Sequence, residues 1–500
     1  MNLPTSKTKL ILFGGLGAMF LALLMVFILG AKKPEPPIEP VSLTFWGVYD
    51  DKEVYDTIIK EFMNIKPKTS ISYRKLPPQE YQRAIIEALA SGKGPDIIMV
   101  PNSEIFKNKE ILISMPPCIV YNKIYQKYFV SVADIIPPLP RKTPQNNCEY
   151  TSVAFKKELY KNILKNYSNN FVDVAAYDFI FDDKVYALPL YVDTLALFYN
   201  KDHFYAANIP SPPSTWKEFI ETVLKLRRIR PDGSIERAAV ALGDTKTVHR
   251  AVDIFIALAM QSGASLIDLE KNKVSLTEGK ISSKGQTILP VVDALNFYLA
   301  FSNPSFLIDN KFDVYTWNNR QNYSIDAFTR GELSMMFGYS YIIPDLKSKN
   351  AYLNFGIAPF PQLEPDPRKK VTYADYFGVA VTNKVLSTTR QGKICAAKCQ
   401  TAWEFLIFLT NFENSKNYSQ QAFRPTARRD LINFQSNDPE LGVFASQSLT
   451  AKSWRRPDKA LVEQILIDAM DDVIKNGKST YEALKTAEDR IRVLLPQTRN

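Results

Sequence analysis

Histidine is nearly missing: the chain has 2 in 500 residues, His203 and His249, and neither lies beside a cysteine pair. That excludes zinc sites built from Cys and His, which need such ligands at short fixed spacings. The chain also lacks a G-x-S-x-G elbow, a phosphate-binding loop and an H-E-x-x-H helix, the usual signatures of hydrolases and nucleotide enzymes. No Arg-rich block and no basic stripe interleaved with aromatics occurs. The formal charge of +10 therefore reads as a dilute, solvated surface rather than a nucleic-acid footprint. Nothing repeats at the roughly 20–50-residue period of a solenoid.

Cysteine is scarce too, at 4 residues, but its placement is informative. Cys118 with Cys148 and Cys395 with Cys399 form two sequence-local pairs, which fits two disulfides outside the cytoplasm. Closing the loop of about 30 residues between Cys118 and Cys148 stabilises by about 3–4 kcal/mol on the loop-entropy model. The "CAAKC" pair carries a condition. Within a regular helix the i and i+4 β-carbons lie too far apart for a bridge, so Cys395 must sit at or before the helix start.

At 500 residues the chain exceeds a single core, and two or more lobes are expected. Leu10 to Ala31 runs without a charge, long enough to cross a bilayer core of roughly 30 Å at about 1.5 Å per residue. Residues 1–31 are expected to be an uncleaved transmembrane anchor, with cleavage after the small residues of Leu29–Ala31 as the alternative. No cysteine follows that could carry a lipid. Lys7 and Lys9 are opposed by Lys32 and Lys33, so charge sets no orientation. Residues 32–40, "KKPEPPIEP", read as a stiff extended spacer.

Beyond the spacer, "VSLTFWGVYDD" reads as a strand ending at Asp50 and Asp51. "EVYDTIIKEFMNI" places Tyr55, Ile59 and Phe62 at helical spacing; "SISYRKL" alternates as a strand; "EYQRAIIEALASGKG" is a second helix and "PDIIMV" a buried strand. Strand–helix–strand–helix–strand argues for a parallel α/β sheet. Its ligand crevice would lie beyond the carboxyl ends of the strands, where Tyr49, Asp50, Asp51, Asn102 and Ser103 fall. Further on, Thr215 and Glu218 form a capping-box start, "AAVALG", "LSMMFGYSYI" and "DYFGVAVTN" read as strands, and long amphipathic helices close the chain. Trp46 and Trp216 are expected in the core. Asp193 is the anomaly: "YALPLYVDTLALFYN" reads as a buried strand with a carboxylate in its middle, costly unless hydrogen-bonded or wet.

The order of these segments resembles the family 1 extracellular solute-binding proteins of ABC importers, the carbohydrate-binding group that includes maltose-binding protein. The resemblance covers roughly residues 41–495. It rests on "LTFWGVYDDKEVYDTIIKEF", "ALASGKGPDIIMV", "YALPLYVDTLALFYNKDHFYAANIPSPPSTWKEF", "AFTRGELSMMFGYSY", "DYFGVAV", "FRPTARRD" and "GKSTYEALKTAEDRI" in that order. The resemblance implies a two-lobed α/β periplasmic-binding-protein fold of type II. Residues 41–188 with 380–424 would form lobe 1, and 189–379 with 425–500 lobe 2. Hinge crossings are implied at "YALPLYVDTLALFYN", "DYFGVAV" and "FRPT", closing on a ligand between the lobes.

The resemblance also implies a function: a monomer, held on the extracytoplasmic face, that captures a sugar or oligosaccharide and delivers it to an ABC permease without catalysis. A polysaccharide-adhesion module and a glycoside-acting enzyme using Asp193 with Asp50 or Asp51 are the alternatives. Sugar sites pair aromatic platforms with carboxylates and amides. The ligand-binding residues expected are therefore Tyr49, Asp50, Asp51, Asn102, Ser103, Asp193, Tyr339, Tyr341, Tyr376 and Trp454. Asp193 would face ligand or water, with backbone amides at the hinge as its alternative partners. Tyr339 and Tyr341 stand where the family often has a stacking Trp, and Arg455 and Arg456 beside Trp454 would favour an acidic sugar.

Overall fold

The computed structural model of the chain describes residues 40–116, 163–282, 285–389 and 392–495. The apolar run Leu10–Ala31, the spacer through Glu39 and the Cys118–Cys148 pair lie outside these residues. Among those described, no helix is long and apolar enough to cross a membrane.

The chain begins with β1 (Val41–Val48), α1 (Glu53–Ile65), β2 (Thr69–Leu76), α2 (Pro78–Ala90) and β3 (Ile97–Pro101), as the apolar periods predict. β4 (Leu112–Ile113), α3 (Asp173–Phe179) and β5 (Ala187–Pro189) follow. A second group then starts: β6 (Ala196–Asn200), α4 (Trp216–Leu226), β7 (Arg228–Ile229), β8 (Ile235–Val240), α5 (Ala251–Gln261), α6 (Pro290–Ala300), β9 (Leu333–Gly338) and β10 (Phe355–Pro359). The last elements used below are β11 (Thr372–Tyr373), β12 (Phe377–Thr382), α7 (Ala397–Leu409), β13 (Ala451–Lys452), α8 (Lys459–Asn476) and α9 (Thr480–Arg492).

These strands make two main sheets, one per lobe. The first runs β2-β1-β3-β12-β4, with β5 also paired to β12; the second runs β10-β6-β9-β8-β7. β1 and β3 are parallel, with Phe45 opposite Ile97, and β8 and β9 are parallel. β12 is antiparallel to β3. The chain therefore passes between sheets after Pro189 and again between Tyr373 and Phe377. The second passage falls ahead of the boundary expected at 380, because the ladder of β12 already begins at Phe377 opposite Pro101. Isolated bridges Tyr191–Thr426 and Thr194–Ala374 hold the crossing strands side by side.

Each lobe has its own apolar core. α1 buries Tyr55, Ile58, Ile59 and Phe62, and Phe62 meets Phe405 of α7 edge-on at 5.2 Å. The second core gathers Phe198, Trp216, Phe219, Phe255, Phe337 and Leu466 around the second sheet. Trp216 is core as expected, 4% exposed. Trp46 is not: it is only partly buried, with the Arg74 guanidinium 5.2 Å over its ring. α4 opens with the complete Thr215–Glu218 capping box, and α9 with Ser479 accepting from the Glu482 amide. Gly378 sits inside β12 because a β-carbon there would lie 2.7 Å from the Phe179 ring and 2.9 Å from the Leu188 carbonyl.

Cys395 and Cys399 are bridged. Cys395 lies ahead of Ala397, the first residue of α7, and its neighbour Ala396 is extended. This meets the geometric condition set by the spacing.

Candidate functional site

The carboxyl ends of β1 and β3 point the same way, since the strands are parallel, and the loops that follow them face the second lobe. Tyr49 follows β1 with φ 68°, a left-handed backbone that costs a non-glycine residue about 1–3 kcal/mol. The residue is 48% exposed, and its ring lies edge-on to Phe377 at 5.6 Å. Asp50 is buried beneath it and accepts from the hydroxyls of Tyr55 (3.0 Å) and Tyr418 (2.8 Å), with Arg424 at 3.6 Å. Asp51 points to solvent and pairs with Lys75 at 2.7 Å.

The second lobe answers with Arg250, which also holds a left-handed backbone, φ 57°, at the start of α5. Its guanidinium bonds Asp253 at 2.6 Å and pairs with Asp375 on the return crossing. Lys459, the first residue of α8, bonds both oxygens of Asp375 at 2.9 Å. Burial by itself would raise the Asp375 carboxyl, but the Lys459 and Arg250 charges outweigh it and hold the group below the ordinary carboxylate range. Between these walls lies a cavity of about 320 Å³, lined by Tyr49, Tyr81, Gln82 and Glu104 from lobe 1 and Arg250, Lys459 and Glu463 from lobe 2.

Beside Arg250 stands an aromatic wall. Tyr339 is fully buried and donates to Asp253 at 2.9 Å. Tyr341 stacks on it with centroids 5.8 Å apart and remains 41% exposed. Its hydroxyl meets His249 Nε2 at 3.0 Å, while His249 Nδ1 meets the Tyr323 hydroxyl at 2.8 Å. Burial, then the Arg250 charge, pushes the imidazole down to about 4. It is therefore neutral at physiological pH, and both exposed tyrosines are fixed through it.

Several expected ligand residues are committed elsewhere. Asp193 does not face open space: it is 1% exposed and accepts from the Ser340 amide (3.0 Å), the Ser340 hydroxyl (2.7 Å) and the Thr194 amide (2.9 Å). It is a hinge tie between the first crossing and the loop after β9, which is how the lobe tolerates a carboxylate in an apolar run. Burial raises it to about 6 despite those bonds. Asn102 donates to Asp178 (3.0 Å) and accepts from the Tyr376 amide (3.3 Å), and the buried Tyr376 hydroxyl donates to Asp178 at 2.6 Å. These polar atoms are spent on the fold. Ser103 is buried with its Oγ unpartnered among the described residues. Trp454 is 3% exposed and belongs to the second core, so it is a packing residue. Arg456, fully buried, bonds Glu463 (3.1 Å) and the Tyr373 hydroxyl (2.9 Å). An acidic ligand would find neither it nor Arg455 free.

Of the expected residues, Tyr49 thus lines the cavity, Tyr341 stays exposed on the aromatic wall that includes Tyr339, and Asp50 is buried. The groups that sequence reasoning passed over are Arg250, His249, Tyr323, Asp375, Arg424 and Lys459. Asp375 and Arg424 stand inside "DYFGVAV" and "FRPT", so the motifs were in view and only their charged members were not weighed.

Residues 154–415 match the family model described as bacterial extracellular solute-binding protein. The chain belongs to that family. Two curated binding proteins, from Brucella abortus strain 2308 and Brucella suis biovar 1, are 21% identical over 283 residues, 56% of this chain and 60% of theirs. This solute-binding protein therefore aligns with less than two thirds of the length of those relatives. Among solved structures, it is similar to a cyclo/maltodextrin-binding protein complexed with maltotetraose (TM-score 0.64, 16% identity, 94% of this chain and 100% of that one). It is similar also to the sugar-binding protein MalE of Xanthomonas citri (0.64, 16%, 91% and 97%). UgpB of Mycobacterium tuberculosis in complex with glycerophosphocholine matches at 0.62, with 17% identity over 91% of this chain and 98% of that one. At these identities the likeness establishes the two-lobed α/β fold.

Proposed function

We propose that this solute-binding protein captures a neutral sugar or short oligosaccharide between its lobes and delivers it to an ABC importer. The observation that carries the reading is the cavity of about 320 Å³ in which aromatic side chains of lobe 1 face charged side chains of lobe 2. Its size lies at the lower end of the roughly 300–1,000 Å³ common for small-molecule sites. The exposed Tyr49 in the cavity wall, and Tyr341 on the aromatic wall near Arg250, suit the C–H faces of a sugar, and the paired acids and bases suit its hydroxyls, which both donate and accept. Both cations that line the cavity, Arg250 and Lys459, already have Asp375 as their anion, and the more deeply placed Arg424 and Arg456 have Asp50 and Glu463. A neutral ligand leaves these pairs intact; an anionic one must break them. The cyclo/maltodextrin-binding protein complexed with maltotetraose and the sugar-binding protein MalE share this fold.

In this reading the ligand favours the closed lobes because only they present both sets of contacts. The apolar run Leu10–Ala31 holds the chain at the membrane, monomeric, beside its permease. The test is a thermal-unfolding screen of the full chain against neutral mono- and oligosaccharides, sugar acids and glycerophosphocholine. A sugar at about 100 times its Kd adds about 2.7 kcal/mol of stability. Stabilisation by the anionic or zwitterionic compounds alone overturns the proposal.

A further inference from the structure

The lobes also meet beside the cavity, through side chains that do not line it. The segment Ser453–Asp458, "SWRRPD", runs from β13 to α8 in the second lobe and lies across α3 and its neighbours in the first. Three contacts of different kinds fasten it there. The Ser453 hydroxyl donates to the buried Asp178 at 2.5 Å, adding a donor from lobe 2 to those from Asn102 and Tyr376. The Arg455 guanidinium lies 4.3 Å from the Tyr177 ring centre and 4.1 Å from that of Phe181, and donates to the Ile180 carbonyl at 3.3 Å. Its side chain is 11% exposed, although its carboxylate partner on its own lobe, Glu270, is 81% exposed and 3.5 Å away. Lys107 of lobe 1 pairs with Asp458 at 2.6 Å, and Asp458 in turn caps α8 through the Leu461 amide.

An arginine buried against two aromatic rings of the other lobe, while still reaching an exposed acid of its own lobe, is an anchor between lobes. We propose that Ser453–Asp458 is a latch that adds to the stability of the closed form and populates part of it before ligand arrives, with Arg455 as the positioning residue that sets the balance of open and closed forms. The proposal rests on lobe closure as the binding motion, and not on which ligand is bound. A protein that is competent only part of the time binds with its affinity divided by that fraction. Loss of the ring contacts should therefore weaken ligand binding roughly 2- to 30-fold, the span of such cation–ring interactions.

The decisive experiment needs no ligand. Hydroxyl-radical footprinting of the full chain compares the native protein with Arg455→Ala and, separately, Lys107→Glu. The latch predicts that oxidation of Tyr49 and Phe377 rises severalfold in both variants. These residues line the cavity and touch neither substituted side chain. Phe45 and Phe337, in the two cores, should stay protected. Unchanged Tyr49 and Phe377, or a rise shared equally by the cores, overturns the latch. Lys107→Glu lies on the surface, so it decides the matter if Arg455→Ala does not fold. A chain that opens in this assay but binds no sugar retains the latch and loses the sugar reading.

Discussion

Asp375 is the residue on which the cleft's charges converge. Replacing it with Ala leaves Lys459 without its anion and Arg250 with Asp253 alone, both with side chains at least three-quarters buried. Breaking a buried pair from one side costs about 3 kcal/mol. Urea unfolding of Asp375→Ala should read a loss near that size, and a loss below about 1 kcal/mol would mean that water already screens the site. His249 gives a pH prediction of definite sign. Its folded value of about 4 lies below the ordinary 6.5, so the unfolded chain binds the extra proton between those values. The stability it contributes is present above pH 6.5 and is lost as pH falls towards 4. Asp193, raised from 3.8 to about 6, acts in the opposite sense and favours the fold as pH falls from 6 to 4. His249→Gln should therefore lose less stability than the native protein between pH 7 and 4.5; equal losses would contradict the burial of a neutral imidazole.

Elements carry their own tests. Gly378→Ala pushes a methyl against the Phe179 ring and the Leu188 carbonyl, where α3 and β5 both press on β12. Overpacking of this kind costs about 1–3 kcal/mol, and calorimetry of the variant should show a lower unfolding temperature. The Cys395–Cys399 bridge closes a short loop, so the entropy model gives it only about 2 kcal/mol. Replacing both cysteines with Ser should cost that amount in denaturant unfolding and leave α7 helical by circular dichroism. At this scale the sequence was readable. Tyr55, Ile59 and Phe62 share a buried face because their spacing puts them there, and Thr215 with Glu218 caps a helix because both partners lie within one turn.

For the whole molecule, the reading predicts a small soluble sugar drawing the lobes together. Solution scattering should record a fall in the radius of gyration on addition of a ligand found in the thermal screen. Polymer binding with no such contraction would favour adhesion over transport. The charged lining on which this depends was poorly legible beforehand. Arg250 and Asp375 are 125 residues apart and Tyr418 and Asp50 are 368 apart. No local period encodes such a pairing. Asp193 illustrates the same limit: its sequence neighbours announce a buried carboxylate, but its donor Ser340 lies 147 residues away.

The sequence by itself determined the elements, their order and thereby the α/β sheets, since helix and strand periods are set by residues a few positions apart. It also determined where the strands end, and so which loops border the gap. Only the tertiary structure decided which side chains in those loops stay free. A carboxylate, an amide and a tyrosine hydroxyl can each satisfy the fold or meet a ligand. The choice depends on donors and acceptors supplied by the other lobe and by distant stretches of the same lobe. Asp193, Asn102 and Tyr376 were taken by the fold, and Tyr49 and Tyr341 were left to the cleft.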